Sequence, residues 1–190
     1  MTGVQTCALP IYGDYGPLLQ PDKRDAAQFI FFEAAAQFES FCCEAFKIEV
    51  RSRFDVQPRR AVYIMGAIDR GLTGVMGWAS PKQLQSRGRA LFGKQGFFGR
   101  LEARVGNSTY QRLSQAHKVR NRVAHAGGKA STEFNNILGQ LGVPAGGRRG
   151  ASVGRVLADY PTSAGSGDRN FHRFIGAYRA TVDGFQAEVR

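Results

Sequence analysis

The sequence predicts an all-α protein, arranged as an up-and-down helical bundle in a single domain. Apolar residues recur at intervals of three and four through several long segments, which is the spacing of one face of an α-helix. No segment alternates apolar and polar residues for the length of a strand, and no internal repeat is visible. The chain of 190 residues is long enough to bury a core without disulfides or metal ions.

The first predicted helix is the longest and the most aromatic. Pro21 and Asp22 open it, with Asp22 as its cap, and it runs to about Phe54. Such an apolar helix has to be buried, either in its own bundle or against a second copy of the protein. Its main apolar stripe consists of Phe31, Ala35, Phe38, Cys42 and either Ala45 or Phe46, and it is widened by Phe29, Phe32 and Phe41.

The later helices are shorter and are separated by Pro and Gly. Pro58 ends the first segment, and Ser80 followed by Pro81 is a typical cap and first helical residue. Asn107 or Ser108 caps the helix that carries the polar motif described below. We expect the remaining helices over residues 59–76, 81–92, 97–105, 107–124, 131–142 and from 168 onward.

Residues 144–167 are rich in Gly, Pro, Ser and Ala, which predicts a flexible connection. The portion GGRRGASVGR has the glycine content of a phosphate loop. However, no strand precedes it, and the Gly-Lys-Ser/Thr of such loops is missing. Arg148 and Arg149 are candidates for contact with an RNA backbone, and a solvated loop is the alternative.

The first eleven residues, MTGVQTCALPI, resemble the translation of a common sequencing-library adapter read from a GTG start codon. We therefore expect residues 1–11 to be foreign to the protein and exclude them from fold reasoning. Residues 12–20 are expected to form an irregular leader and residues 21–190 the single domain. A GTG start codon is typical of a bacterial gene.

Composition favours a polyanionic partner and a reducing compartment. The net charge is +11, with 20 Arg against six Lys, and Arg suits paired contacts to phosphate. The alternative is the Arg bias of a GC-rich genome. Cys42 and Cys43 are adjacent on a helix, point about 100° apart and are expected to be reduced core residues. With no zinc spacing and no secretory signal, we expect a cytoplasmic protein without a membrane span, metal or other cofactor.

A polar motif closes the helix that begins near residue 107. It reads Arg120-Asn121-Arg122-Val123-Ala124-His125 and is followed by Ala126-Gly127-Gly128. A fixed cation, an amide and a titratable imidazole at one helix end can bind and cleave a phosphodiester without metal. The alternative is that these cations only complement the helix dipole. Arg112 and His117 repeat the Arg-to-His spacing without the adjacent Asn or the glycines, so we predict that His117 is a buried, hydrogen-bonded side chain.

The pattern Arg-Asn-x-x-Ala-His at a helix end resembles the signature of the HEPN superfamily, many of whose members are metal-independent ribonucleases. The segment Ala36 to Phe41 in the first helix resembles the subgroup related to domains fused to RNA ligases (RiboL-PSP-HEPN). In that family an acidic residue on this helix commonly faces the active site, which corresponds to Glu39 here. Relatives typically form two-fold dimers in which the two motif helices share one groove.

The resemblance implies an endoribonuclease in which the ribose 2′-OH attacks the adjacent phosphorus and leaves a 2′,3′-cyclic phosphate. His125 is the candidate general acid or base, Arg120 holds the phosphate oxygens, and Asn121 orients the imidazole or the phosphate. Lys118 and Arg122 are further candidates for RNA contact. Such a protein would be a toxin or defence component, with an antitoxin protein as a possible partner. The alternatives are a non-catalytic module that binds RNA or a nucleotide, and a helical protein-interaction domain.

Overall fold

The computed structural model of the protein describes residues 19–72, 80–125, 127–161 and 168–189, and these residues confirm the all-α class. The expected foreign segment 1–11 and all but the last two residues of the expected leader lie outside the described residues. No strand occurs in the described ranges, where a single bridge joins Pro161 to Arg169. The helices are α1 (Gln20–Phe54), α2 (Pro58–Leu72), α3 (Pro81–Phe92), α4 (Leu101–Val105), α5 (Asn107–Ala124), α6 (Gly128–Ile137), α7 (Val153–Ala158) and α8 (Asn170–Val189).

Helix α1 is the axis of the fold. The predicted end at Phe54 is confirmed, but the cap is Leu19, so the predicted cap Asp22 lies inside the first turn. Pro21 occupies one of the first two positions, where its missing N–H costs nothing. Every member of the predicted main stripe is buried, Ala45 and Phe46 both included. The spacing of apolar residues therefore identified the main buried stripe, but Phe29, which was predicted to widen it, is 66% exposed.

Aromatic side chains join α1 to α8. The rings of Phe31 and Phe174 lie 5.6 Å apart, and Phe38 stacks on Tyr178 with 4.3 Å between ring centroids. Burying each such side chain stabilises the fold by about 1.5–3 kcal/mol. This contact fixes the side of α1 that faces the bundle, and so decides which α1 residues remain near the surface.

Two glycines allow a close approach between α3 and the 3₁₀ turn that precedes α4. A Cβ at Gly88 would lie 2.3 Å from the backbone nitrogen of Gly99, and a Cβ at Gly99 would lie 2.4 Å from the carbonyl oxygen of Gly93. No larger residue fits at either position without moving the backbone. The adjacent rings of Phe97 and Phe98 are buried.

The predicted flexible connection over 144–167 is wrong for the part that the structure describes. A 3₁₀ turn covers Ala145–Gly147 and α7 follows, with Val156 and Leu157 fully buried. Helix α7 packs on the start of α1, where a Cβ at Gly154 would lie 2.5 Å from the carbonyl oxygen of Arg24. Glycine here permits helix contact rather than flexibility.

Several predicted boundaries differ from the observed ones by a few residues. Helix α6 begins at Gly128 and ends at Ile137, whereas the sequence predicted 131–142. The predicted second helix extended to residue 76, and its last four residues lie outside the described ranges. Within those ranges, no helix combines the length and the apolar character needed to span a bilayer.

Candidate functional site

The predicted polar motif lies where α5 ends. The last helical residue is Ala124, and His125 has an extended backbone (φ −133°, ψ 121°) while its N–H still donates to the carbonyl oxygen of Asn121 at 2.9 Å. Five residues along a regular helix turn a side chain by about 140°. The break at His125 changes its direction from the one that a continued helix would impose. The imidazole is exposed at this end of α5.

Arg120 is held against α1 by Glu39, the acidic residue that the family resemblance places near the active site. Its Nη2 donates to Oε2 of Glu39 at 2.9 Å, and the two side chains are 24% and 23% exposed. The guanidinium also lies 5.9 Å from the centre of the Phe32 ring, within the range of a cation–π contact. Because the pair is only partly exposed, the guanidinium is fixed in orientation while water and ligands can still approach it.

The Nε–H of Arg120 is a donor that Glu39 does not use. Its Nε is buried and has no hydrogen-bond partner in the part of the chain that the structure describes. A guanidinium carries five N–H donors in a rigid plane, and the contact to Glu39 uses one of them. The arrangement holds the side chain still without occupying all of its donor positions.

Beneath this ion pair the interior is apolar. Burial raises the pKa of the Tyr178 phenol and of the Cys42 thiol, so both stay protonated. Neither is a nucleophile or base in this state. Cys42 is buried and Cys43 is partly buried, and both are thiols, which confirms the prediction of reduced cysteines near the core. The charged chemistry at this position is therefore confined to the surface layer formed by α1 and α5.

His117 lies one turn before Asn121 on α5. Nδ2 of Asn121 and Nε2 of His117 are 3.0 Å apart. The prediction of a hydrogen-bonded His117 is confirmed, but the residue is partly exposed rather than buried. Burial lowers the pKa of His117, and the neighbouring charge of Arg120 lowers it further, although Glu39 acts in the opposite direction. At neutral pH the ring is uncharged.

The structure thus brings together four polar side chains in two pairs, Arg120 with Glu39 and Asn121 with His117. The family resemblance placed Glu39 near the motif, but the sequence did not predict its ion pair with Arg120. Sequence reasoning also missed the second pair, although a spacing of four residues on one helix places two side chains side by side.

The further RNA-contact candidates are dispersed. Lys118 and Arg122 are half-buried on α5, close in sequence to Arg120. Arg148 is exposed and donates from Nε to the carbonyl oxygen of Val143 at 3.1 Å, and Arg149 is exposed beside it. These last two arginines follow α6, in a segment whose local hydrogen bonds hold its shape.

A second basic region lies at the opposite end of α5. An open concavity of about 1010 Å³ is lined there by Gln85, Arg89, Lys94, Arg100, Glu102 and Asn107, among others. Since α5 rises about 1.5 Å per residue, its first residue lies about 26 Å from the motif end. The concavity is therefore separate from the Arg120 region.

No group of three or more His, Cys, Asp or Glu side chains in the described ranges is placed to hold a metal ion. In comparisons with known proteins, no protein-family model matches the chain, and no curated protein or solved structure matches it at a significant level.

Proposed function

We propose that this protein is a metal-independent endoribonuclease of the HEPN type. One observation carries the proposal: Arg120 is fixed by Glu39 and Phe32, five residues before an exposed histidine at the end of α5. These are the groups that 2′-OH attack on a phosphodiester requires, because the substrate supplies its own nucleophile. The protein then has only to move protons and stabilise charge.

Arg120 is the phosphate-binding group in this proposal. Its orientation is set before the substrate arrives, so little side-chain entropy is lost on binding. The guanidinium plane presents paired donors to two non-bridging oxygens, which gain negative charge as the 2′ oxygen attacks. Glu39 acts through Arg120 and is a positioning residue rather than a proton donor.

His125 is the proton-transfer group. Its ring is exposed at the end of α5, and imidazole is the side chain most often used as a general acid or base. Asn121, Lys118 and Arg122 would lie along the bound RNA. The 2′ oxygen loses its proton and bonds to phosphorus as the bond from phosphorus to the 5′ oxygen breaks and that oxygen takes up a proton, so the products would be a 2′,3′-cyclic phosphate end and a 5′-hydroxyl end, with no cofactor required.

The groove would be completed by a second copy of the chain. Phe29 and Ile30 on α1 are 66% and 52% exposed, although they are large and apolar. They lie within one turn of Phe32, which contacts Arg120, so a contact between two α1 helices would place two Arg120 sites close to one another. The cellular setting that fits such an enzyme is the cytoplasm, as a toxin or defence component restrained by an antitoxin protein.

One observation favours a second function. The contact with Glu39 neutralises Arg120, and a neutralised arginine binds phosphate less strongly than a free one. A non-catalytic HEPN-like module that binds RNA or a nucleotide is therefore the second candidate. The third candidate is a protein-interaction domain that uses Phe29 and Ile30. Such a domain would show no salt-sensitive binding of RNA.

Cleavage of a labelled RNA in EDTA tests the proposal. The wild-type protein should cleave it and leave cyclic phosphate ends. His125→Ala should lower the rate about 10²–10⁴-fold, and Arg120→Lys should also be poor because ammonium lacks the paired donors. His172→Ala, a change at an exposed histidine on α8, is the matched control and should cleave like wild type. Light scattering should give twice the chain mass. Binding without cleavage supports the second candidate, and cleavage that persists in His125→Ala overturns the mechanism.

A further inference from the structure

Within the described ranges, the imidazole of His117 makes one hydrogen bond, and its partner is Asn121 of the polar motif. Nδ2 of Asn121 lies 3.0 Å from Nε2 of His117, whereas Nδ1 is buried without a partner among the described residues. The amide nitrogen of Asn carries two hydrogens and no lone pair available for hydrogen bonding. It can therefore only donate, so Nε2 of His117 is the acceptor and carries no proton.

The surroundings of His117 keep it in that state. The charged groups that face it are Glu39 from α1, Glu133 from α6, and Lys118 and Arg120 from its own helix. The two carboxylates favour the imidazolium, but burial and the two cations disfavour it, and the net result is a lowered pKa. A neutral ring with its proton on Nδ1 is the form that can accept from Asn121.

We infer that His117 is a positioning residue of the proposed site, which fixes the amide of Asn121 so that its free end is the carbonyl oxygen Oδ1. This inference rests on the proposed function. An outward Oδ1 is a hydrogen-bond acceptor. It cannot bind phosphate oxygens, which are acceptors too, but it can accept from the ribose 2′-OH. Asn121 would therefore recognise the nucleophile of the reaction rather than the phosphate.

The orientation of Asn121 affects the choice between RNA and DNA as substrate. The 2′-OH is the group that distinguishes RNA from DNA. A side chain that accepts from it contributes to binding of RNA and contributes nothing with DNA. Discrimination between the two nucleic acids then depends on His117, a residue outside the motif, through the orientation it imposes on Asn121.

The test measures binding apart from cleavage. All variants are made on the His125→Ala background, and fluorescence anisotropy gives the Kd for an RNA oligonucleotide and a DNA oligonucleotide of equal sequence. The background protein should favour RNA about fivefold, the range expected for one hydrogen bond. His117→Leu should bring the ratio close to one. His117→Gln, whose amide oxygen can accept from Nδ2, should restore it, and His172→Leu is the matched control that should leave it unchanged.

A second measurement reads the pairing directly. In ¹⁵N-labelled protein with His125 intact, NMR should show Nε2 of His117 unprotonated and Nδ1 protonated at neutral pH. Protonation at Nε2, or an RNA preference that survives His117→Leu in a folded protein, overturns the inference. So does failure to bind either oligonucleotide. If the RNA preference follows His117 but the wild-type protein cleaves nothing, the proposed enzyme fails while this assignment of Asn121 stands.

Discussion

Two of the glutamates on helix α1, Glu49 and Glu39, differ in burial and in the groups that they bind. Glu49 is 6% exposed and accepts from the backbone N–H of Phe97 at 2.7 Å and from Arg53 at 3.2 Å. Glu39 lies almost three turns earlier, is 23% exposed and accepts from Arg120. Burial raises the pKa of Glu49, and the N–H of Phe97 and the charge of Arg53 offset that effect only in part.

The difference shows how the surroundings of a carboxylate assign its role. A buried carboxylate that binds backbone N–H groups holds a turn in place, and its removal leaves those donors without partners. A half-exposed carboxylate paired with a cation holds a side chain that a ligand can still reach. The pair of Glu39 and Arg120 lies beside two buried polar atoms that have no hydrogen-bond partner among the described residues, Nε of Arg120 and Nδ1 of His117.

The largest effect should come from Glu49→Ala. Losing the buried acceptor of Phe97 should lower the free energy of unfolding by about 3 kcal/mol, because a charge-assisted hydrogen bond disappears and a buried donor remains. Urea denaturation measures this change. Glu49→Gln keeps an acceptor and should cost about 1 kcal/mol. If both variants lost the same free energy of unfolding, the hydrogen bond from Phe97 would not be the source of the stability that Glu49 provides.

Gly96→Ala should have the next largest effect. A Cβ at this position would lie 2.3 Å from Oε1 of Glu49, so the carboxylate must move away from Phe97. We expect a loss of about 2 kcal/mol, in the range of other overpacked positions. Gly176→Ala on α8 is the matched control, since nothing lies within 4 Å of its Cβ, and it should stabilise the fold by about 0.5 kcal/mol. An unchanged melting temperature for Gly96→Ala would contradict the packing described for this turn.

Glu39→Gln should affect function more than stability. Ion pairs of this exposure contribute less than about 1 kcal/mol, so thermal unfolding should hardly change. Cleavage of RNA should fall about tenfold because Arg120 loses its orientation, whereas affinity for RNA should rise because a negative charge is removed. Parallel losses in cleavage and affinity would show that Glu39 contributes to the fold rather than to the site.

The smallest effect is a difference in pH dependence. The pKa of Glu49 is raised on folding, so the contribution of this group to stability increases as pH falls from its folded pKa towards the ordinary value near 4.5. The pKa of His117 is lowered, so its contribution is present above the ordinary value of 6.5 and is lost as pH falls below it. Relative to wild type, Glu49→Gln should lose stability in acid and His117→Gln should gain it. Urea titrations from pH 4.5 to 7.5 measure both, and the same sign for both would contradict the assignments.

The regular parts of this fold were predictable from the sequence. The stripe on α1 and the start and end of α3 follow from local patterns that tertiary contacts reinforce. Residues 153–158 were not predictable, because glycine is common both in loops and where helices touch, and only the neighbouring Arg24 carbonyl distinguishes the two cases at Gly154.

The site was predictable to the extent that it lies on one helix. The end of α5 near the motif was predicted from Gly127 and Gly128, but neither glycine caps it: α5 ends at Ala124, and Gly127, with a φ of −65°, precedes α6. Glu49 was missed since its partners lie 48 and 49 residues away, and nothing local marks a glutamate that binds backbone donors at that distance. The pairing of His117 with Asn121 was visible as a spacing of four residues, but a spacing alone does not show that two side chains bond to each other rather than to solvent.

The separation in sequence between α1 and its partners determines the order in which the protein can be completed during synthesis. Arg24 pairs with Asp159, 135 residues later, and Phe31 packs on Phe174. Translation at about 5–20 residues per second leaves the aromatic face of α1 uncovered for on the order of 10 s. The helix that carries Glu39 is thus made first and covered last. Chaperones that recognise exposed aromatic helices would meet this chain while Glu39 still lacks Arg120, which is made 81 residues later.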